Sequence, residues 1–338
     1  MAESTFGVTG GRPAAAQGSG PGPARLRASA FPGGPVLIRS TAPDALSNLV
    51  AVLELTADGR IRCHAATRRP LAGTVRLVED VLVAGDYYDS REDGEPIAAF
   101  GWPMLLQAGG LARLAVLARG DDPPKPPRRG TADTRLELTP RGEAVLARPC
   151  YQALGALWER WLRSVSQDEL TRIEAIRSQR KTGTLTPPAR RRAAVADGLA
   201  ALRPGVWVEV DALFAVLRAQ AGPLAVTTGP LARWRLYLED PRYGSLGLAG
   251  WKAWNVLEGR YALCVLFEYA ATLGVVDVAY AAARGARDDH RALPGADGRD
   301  CLSRYDGLAA VRVNELGAAL LHDPAAVPAL GLPVPRRT

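Results

Sequence analysis

The chain has 338 residues, with 23% charged and 47% hydrophobic content, a globular composition long enough for two ordinary domains with real cores. Its four cysteines, Cys63, Cys150, Cys264 and Cys301, are scattered and form no C-x-x-C pair. That spacing excludes a clustered zinc site and a secreted disulfide scaffold, and it suits free thiols in a reducing cytoplasm. The formal charge of +7 admits a polyanionic partner, yet of 42 basic residues only Lys125, Lys181 and Lys252 are lysines. Arginine in such excess, beside abundant alanine and glycine, also follows from a GC-rich genome.

Residues 1–35 are rich in Gly, Pro, Ala and Ser and read as a disordered tail, with no apolar core of a secretory signal. Structure is expected from "PVLIRS" onward. A short strand at Ile61–Cys63 precedes a helix from about Pro70, on which Leu71, Val75, Val78 and Leu82 recur at helical spacing. "PIAAFGWPMLLQAGGLARLAVLA" reads as a helix kinked near Pro103 that ends at Gly109-Gly110 and passes into a strand. A proline-rich loop (119–134) leads to the strand Arg135–Leu138 and a short helix. The second half repeats this order. Trp207–Glu209 is a strand, and Asp211 is placed to cap the helix that follows. A long apolar helix ends at Gly274, "VVDVAYA" is a strand, 284–304 is a polar loop, and "LAAVRV" returns into "NELGAALL". Between the halves lie helical segments, "YQALGALWERWLRSV" and "DELTRIEAIRSQ", and the basic stretch "RKTGTLTPPARRR".

The two halves therefore end alike, in "RLELTPRGEAVL" (135–146) and "AVRVNELGAALL" (310–321), with Thr139 or Asn314 three residues before Gly142 or Gly317. The run Leu138-Thr139-Pro140-Arg141-Gly142 followed by "EAVL" resembles the end of the wing in MarR- and PadR-like winged-helix proteins; the Val313-to-Gly317 copy is looser. "YLEDPRYGSLG", "LFEYAATLG" and "LSRYDGL" are similar to blocks in large uncharacterised bacterial proteins with helicase-associated winged-helix segments. The resemblance implies a mostly α fold with small β-ribbons (α+β): a winged-helix-like module at 36–149, a helical, basic connector at 150–193, a second module at 194–323 and a tail at 324–338.

Membrane insertion is not expected. The best candidate, 261–283, is interrupted by Glu268 and Asp277 and reads as a core helix followed by a strand. The three histidines lie in no H-E-x-x-H, H-x-E or G-x-S-x-G context, and no phosphate-cradling glycine motif is present. Asp288, Asp289 and His290, with Asp297 and Asp300, could suggest a metal-dependent nuclease. Arg287, Arg291 and Arg299 among them favour a solvated loop, so no enzyme activity, metal or cofactor is expected. Trp158 and Trp161 share a helix face and are assigned to the core. Glu169, Arg172, Glu174 and Arg177 read as a surface of interleaved charges.

Nucleic-acid contact is expected from the wing residues Arg128 and Arg129 and from Arg177, Arg180, Lys181, Arg190, Arg191 and Arg192, a stretch holding no acidic residue. The helices before the two ribbons carry few polar side chains, which argues against base readout. The expectation is a non-catalytic cytoplasmic adaptor in a DNA-handling assembly, with weak nonspecific DNA affinity and a helicase or nuclease as protein partner. The alternative is a sequence-specific transcriptional regulator.

Overall fold

The computed structural model describes residues 34–89, 96–116, 133–179, 183–238, 242, 244–252, 254–296 and 298–332. It is an α+β structure of helices around small antiparallel sheets. After strand β1 (Leu37–Arg39), the first half runs α1 (Ala42–Ala57), β2 (Arg62–His64), α2 (Ala72–Glu79), α3 (Ala98–Ala108), β3 (Ala112–Val116), β4 (Asp133–Leu138) and α4 (Pro140–Ala147). Then come α5 (Tyr151–Arg163), β5 (Ile176–Arg177) and α6 (Pro188–Ala200). The second half continues with β6 (Trp207–Glu209), α7 (Val210–Ala219), α8 (Pro230–Arg233) and β7 (Tyr237–Leu238). A buried helical stretch follows, α9 (Arg260–Cys264) flanked by the π-helical turns Asn255–Gly259 and Val265–Ala270. The chain then forms β8 (Val276–Tyr280), β9 (Leu308–Val313) and α10 (Glu315–His322).

The sheet of the first half has the order β2-β4-β3, and that of the second contains β6-β9-β8. In both, the strand after the first helix pairs with the last strand of the ribbon, so the two connectivities are the same. The local chemistry is the same too. Gly110 and Gly274 end the helix before each ribbon with φ of 71° and 77°. The next amide then bonds five residues back, Leu111 N to Leu106 O and Val275 N to Ala270 O, both at 2.9 Å. The ribbons begin at Ala112↔Leu138 and Val276↔Val313. Each last strand is followed by a capping side chain, Thr139 Oγ1 accepting from Gly142 N (3.2 Å) and Asn314 Oδ1 from Gly317 N (2.9 Å).

The two capped glycines are close-approach positions. A Cβ on Gly142 would strike the carbonyl oxygen of Leu111, and one on Gly317 that of Val275, the equivalent residue just before each ribbon. Gly142→Ala and Gly317→Ala should each cost about 1–3 kcal/mol, because the obstacle is backbone. Gly73→Ala, in open space on α2, should be neutral or slightly stabilising. Urea unfolding of the three variants checks this, and equal midpoints would refute it.

Several expectations need correction. β1 pairs antiparallel with β8, so the start of the supposed first module completes the sheet of the second. Thr41 fixes that crossing, its Oγ1 donating to Val276 O at 2.7 Å and its N–H to Asp277 Oδ1 at 3.1 Å. The connector is core rather than linker. Trp158 and Trp161 of α5 are buried, and Trp161 stacks on Tyr269 at 4.8 Å and 15°. "DELTRIEAIRSQ" is no helix but a 3-10 turn, Glu169–Arg172, followed by β5, which pairs with β7. Residues Pro324–Leu330, assigned to a tail, form a 3-10 turn with Val327 buried, packed on α5 and α10. Asp211 does not cap α7; Glu209 is the N-cap residue, without a side-chain bond.

The helices before the two ribbons meet in the middle of the molecule. Gly101 of α3 lies so close to the Glu268 carbonyl oxygen that a Cβ would be 2.7 Å from it. Both helices are apolar because each covers the other. A single hydrophobic cluster runs through both halves. Among the described residues no helix is long and apolar enough to cross a membrane.

Candidate nucleic-acid interface

The polar residues of the central helix decide which cations are left for a partner. Glu258, Arg260 and Glu268 sit on an otherwise apolar helix and are fully buried, so each needs a charged or hydrogen-bonding partner. Glu268 receives Arg172 Nε at 3.0 Å and Nη2 at 2.8 Å, and the Tyr305 hydroxyl donates to the same carboxylate. Burial works against the Arg172 charge, but the Glu268 carboxylate outweighs it and holds the guanidinium well above its usual range. Arg260 is held by Asp306 at 3.1 Å and Asp289 at 2.7 Å. Glu258 accepts from Arg233 at 2.8 Å and from Val226 N at 3.2 Å, and burial raises its pKa nonetheless.

This network absorbs residues assigned above to the surface. Arg191 and Arg192 are 1% and 0% exposed. Arg191 grips Asp168 with two bonds of 2.9 and 2.7 Å, and Arg192 reaches Glu169 Oε1 at 2.9 and 2.6 Å. Arg192 also donates to the carbonyls of Trp161, Ser164 and Gln167, and Tyr261 OH donates to Glu169 Oε2 at 3.1 Å. Neither arginine can reach a phosphate, which corrects their assignment to a nucleic-acid surface. The local sequence lacks acid because the partners, Asp168 and Glu169, stand at the start of the 3-10 turn, 23 residues back, and reach α6 through the fold. Glu169 and Arg172 are buried as well, so the reading of that segment as a charged surface fails for these two, whereas Glu174 and Arg177 are exposed.

Of the other candidates, Arg177 and Arg190 are exposed on β5 and at the start of α6. Arg128, Arg129, Arg180 and Lys181 lie outside the described residues. Comparison with known proteins finds no matching family model, curated protein or solved structure. What the chain can bind must come from its own surface.

That surface includes cations the sequence reading passed over. Alternation along β2, β4 and β3 puts Arg62, Arg135 and Arg113 on one face of the first sheet. Arg62 is exposed and directly opposite Arg135, and the Arg113 side chain is 71% exposed. Glu137 serves two of them, at 3.0 Å from Arg135 and 3.7 Å from Arg113. Like charges directly opposed across a ladder are unfavourable on their own. The signal is the alternating arginine of "RIRCH" and "TRLEL", which shows in the period-two pattern of a strand and not as a linear basic run.

The acidic loop does not assemble. Asp288 and Asp300 are exposed, whereas Asp289 bonds Arg260 and lies 3.4 Å from Arg287. Burial opposes ionisation of Asp289, but His290, Arg260 and Arg287 together hold its carboxyl far below the usual range. His290 is buried, its Nε2 3.1 Å from Arg299 O. Asp297 lies outside the described residues. Among the described residues no group of three or more His, Cys, Asp or Glu is placed to hold a metal ion.

Proposed function

We propose that this chain is a non-catalytic tandem winged-helix adaptor of a DNA-handling assembly, which touches DNA weakly through phosphates and does not read sequence. The observation that carries the reading is the mutual burial of α3 and the central helix. In a winged helix these are the elements that enter the major groove, and here they face each other across Gly101 and Glu268. The matching strand orders β2-β4-β3 and β6-β9-β8 support the tandem architecture. Arginines remain outside on the first sheet, and phosphate contacts position a protein without specifying bases.

An exposed apolar group supports the adaptor role. Leu231 (83% exposed) and Trp234 (51%) lie one turn apart, and the Trp234 ring lies against Gly247, next to Leu248 (55%). Exposed apolar groups of this kind mark protein contacts. A protein partner such as a helicase or nuclease would dock there, while the arginine face holds DNA.

The test is fluorescence anisotropy with two unrelated duplexes across a salt series. Each phosphate neutralised adds roughly −0.9 to the slope of log affinity against log salt, so engagement of three arginines gives about −3. Both duplexes should bind equally. Arg62→Gln, Arg113→Gln and Arg135→Gln together should flatten the slope and weaken both alike. A strong preference for one duplex would favour the regulator instead, and an unchanged slope in the triple variant would remove this face.

A further inference from the structure

A second cationic site lies away from the arginine face of the first sheet. A cleft of about 350 Å³ opens between the turn after β2, α3, the 3-10 turn and the central helix, with Arg69, Phe100, Gln167, Arg172 and Tyr269 in its wall. Its volume falls in the range of small-ligand sites.

Three features of its wall are unsatisfied. Arg69 is half-buried and donates to Thr171 O at 2.7 Å, but among the described residues no carboxylate lies within ion-pair distance of it. Arg172, 6% exposed, commits Nε and Nη2 to Glu268 and leaves Nη1 with no hydrogen-bond partner among the described residues. Gln167 donates from Nε2 to Met104 O at 2.5 Å, which fixes its amide, and its Oε1 is buried with no partner among the described residues. The other charges near the cleft are paired: Glu268 answers Arg172, and Arg191 takes both oxygens of Asp168. The cleft thus holds one surplus positive charge and one idle acceptor. Burial, and after it the charge of Arg172, lowers the Arg69 pKa, as expected of a cation short of an anion.

The backbone that presents Arg69 is held in an uncommon state. Arg68 has φ of 60°, a left-handed conformation unusual for a residue with a side chain. The turn is clamped there by Arg68 N to His64 O (2.7 Å), His64 N to Arg69 O (2.8 Å) and Gln107 Nε2 to Arg68 O (2.9 Å). Such over-determined strain concentrates at ligand sites.

We propose that this cleft binds the phosphate of a nucleotide, with Arg69 and Arg172 Nη1 on the phosphate oxygens and Gln167 Oε1 accepting from an N–H or O–H of the attached nucleoside. A guanidinium fork suits phosphate geometry, and an acceptor that an inorganic ion cannot satisfy selects for the organic part. The same chemistry is offered by a free nucleoside monophosphate and by the 5′-phosphate of a nucleic-acid strand.

Titration calorimetry of the full chain tests this with AMP, adenosine, inorganic phosphate and a short single strand with or without its 5′-phosphate. At least one phosphorylated probe should bind ten-fold or more tighter than its unphosphorylated counterpart, and AMP tighter than inorganic phosphate. Binding of AMP alone identifies a free nucleotide as the source; binding of the phosphorylated strand alone identifies a strand end. Arg69→Gln should weaken the phosphorylated probe at least ten-fold, and Arg62→Gln, on the outer face of the first sheet, should not. The proposal is overturned if adenosine matches AMP and the two strands also match, or if a folded Arg69→Gln binds like the parent. The comparison of probes on the parent chain stands even where the variant fails to fold, and duplex affinity measured separately keeps the outcome distinct from that of the adaptor reading.

Discussion

Arg192→Met is expected to lower the free energy of unfolding by about 3–5 kcal/mol, the cost of leaving one partner of a buried ion pair without the other. Methionine fills much of the same volume, so the loss reports charge and hydrogen bonding more than cavity formation. Among the described residues Glu169 would be left buried with Tyr261 OH as its one side-chain donor, and the carbonyls of Ser164 and Gln167 would lose their side-chain donor, while Trp161 O keeps the Ser164 N–H at 3.1 Å. Adding Glu169→Gln removes the stranded charge and should restore part of the loss, because a neutral amide can still accept from Tyr261. It cannot restore all of it, since the Ser164 and Gln167 carbonyls remain without the Arg192 donor. Urea unfolding at neutral pH measures both variants. If Arg192→Met is as stable as the parent, α6 is not buried as described and the stretch at Arg190–Arg192 returns as a phosphate-binding candidate.

Glu268→Ala should cost about as much, roughly 3–5 kcal/mol, for the mirror-image reason. Arg172 would be stranded at 6% exposure, with its remaining contacts to the Pro96 carbonyl and the Phe100 ring, whose centroid is 3.4 Å away. Tyr305 OH would lose its acceptor as well. Glu268→Gln keeps an oxygen for both donors and should cost clearly less. In a double-mutant cycle, Arg172→Leu with Glu268→Leu should be far less damaging than the sum of the single changes, since a stranded charge costs more than an absent pair. Additive losses would mean that the two side chains do not interact between the 3-10 turn and the central helix.

That contact bears on function as well as stability. A helix free to enter a major groove needs a polar face turned to solvent. Here the faces of α3 and of the central helix are spent on each other, with one ion pair sealed where they cross. The arginines that remain exposed are on a sheet and at a helix end, and Arg69 lines a cleft where, among the described residues, no carboxylate lies within ion-pair distance of it.

The repeated punctuation of the two halves was legible in the sequence because it is local. A capping Thr or Asn, a glycine three residues on, and a glycine ending the preceding helix act over a few bonds, so their spacing alone announces the turn. The long apolar stretch 261–283 could likewise be assigned to core helix and strand, since Glu268 and Asp277 are too costly in lipid. The apolar character of both ribbon-preceding helices already spoke against base readout, though not for what covers them. The fate of the charges was invisible. Arg191 and Arg192 lie in a run without acids, and their partners Asp168 and Glu169 come alongside only because α5 and the 3-10 turn fold back onto α6. In the same way Arg172 finds Glu268, and β1 crosses to β8. Caps and turns follow from neighbours along the chain, whereas the solvation of a charge depends on which distant segments exclude water around it. Which arginines are buried in ion pairs and which stay at the surface was therefore decided only by the tertiary structure.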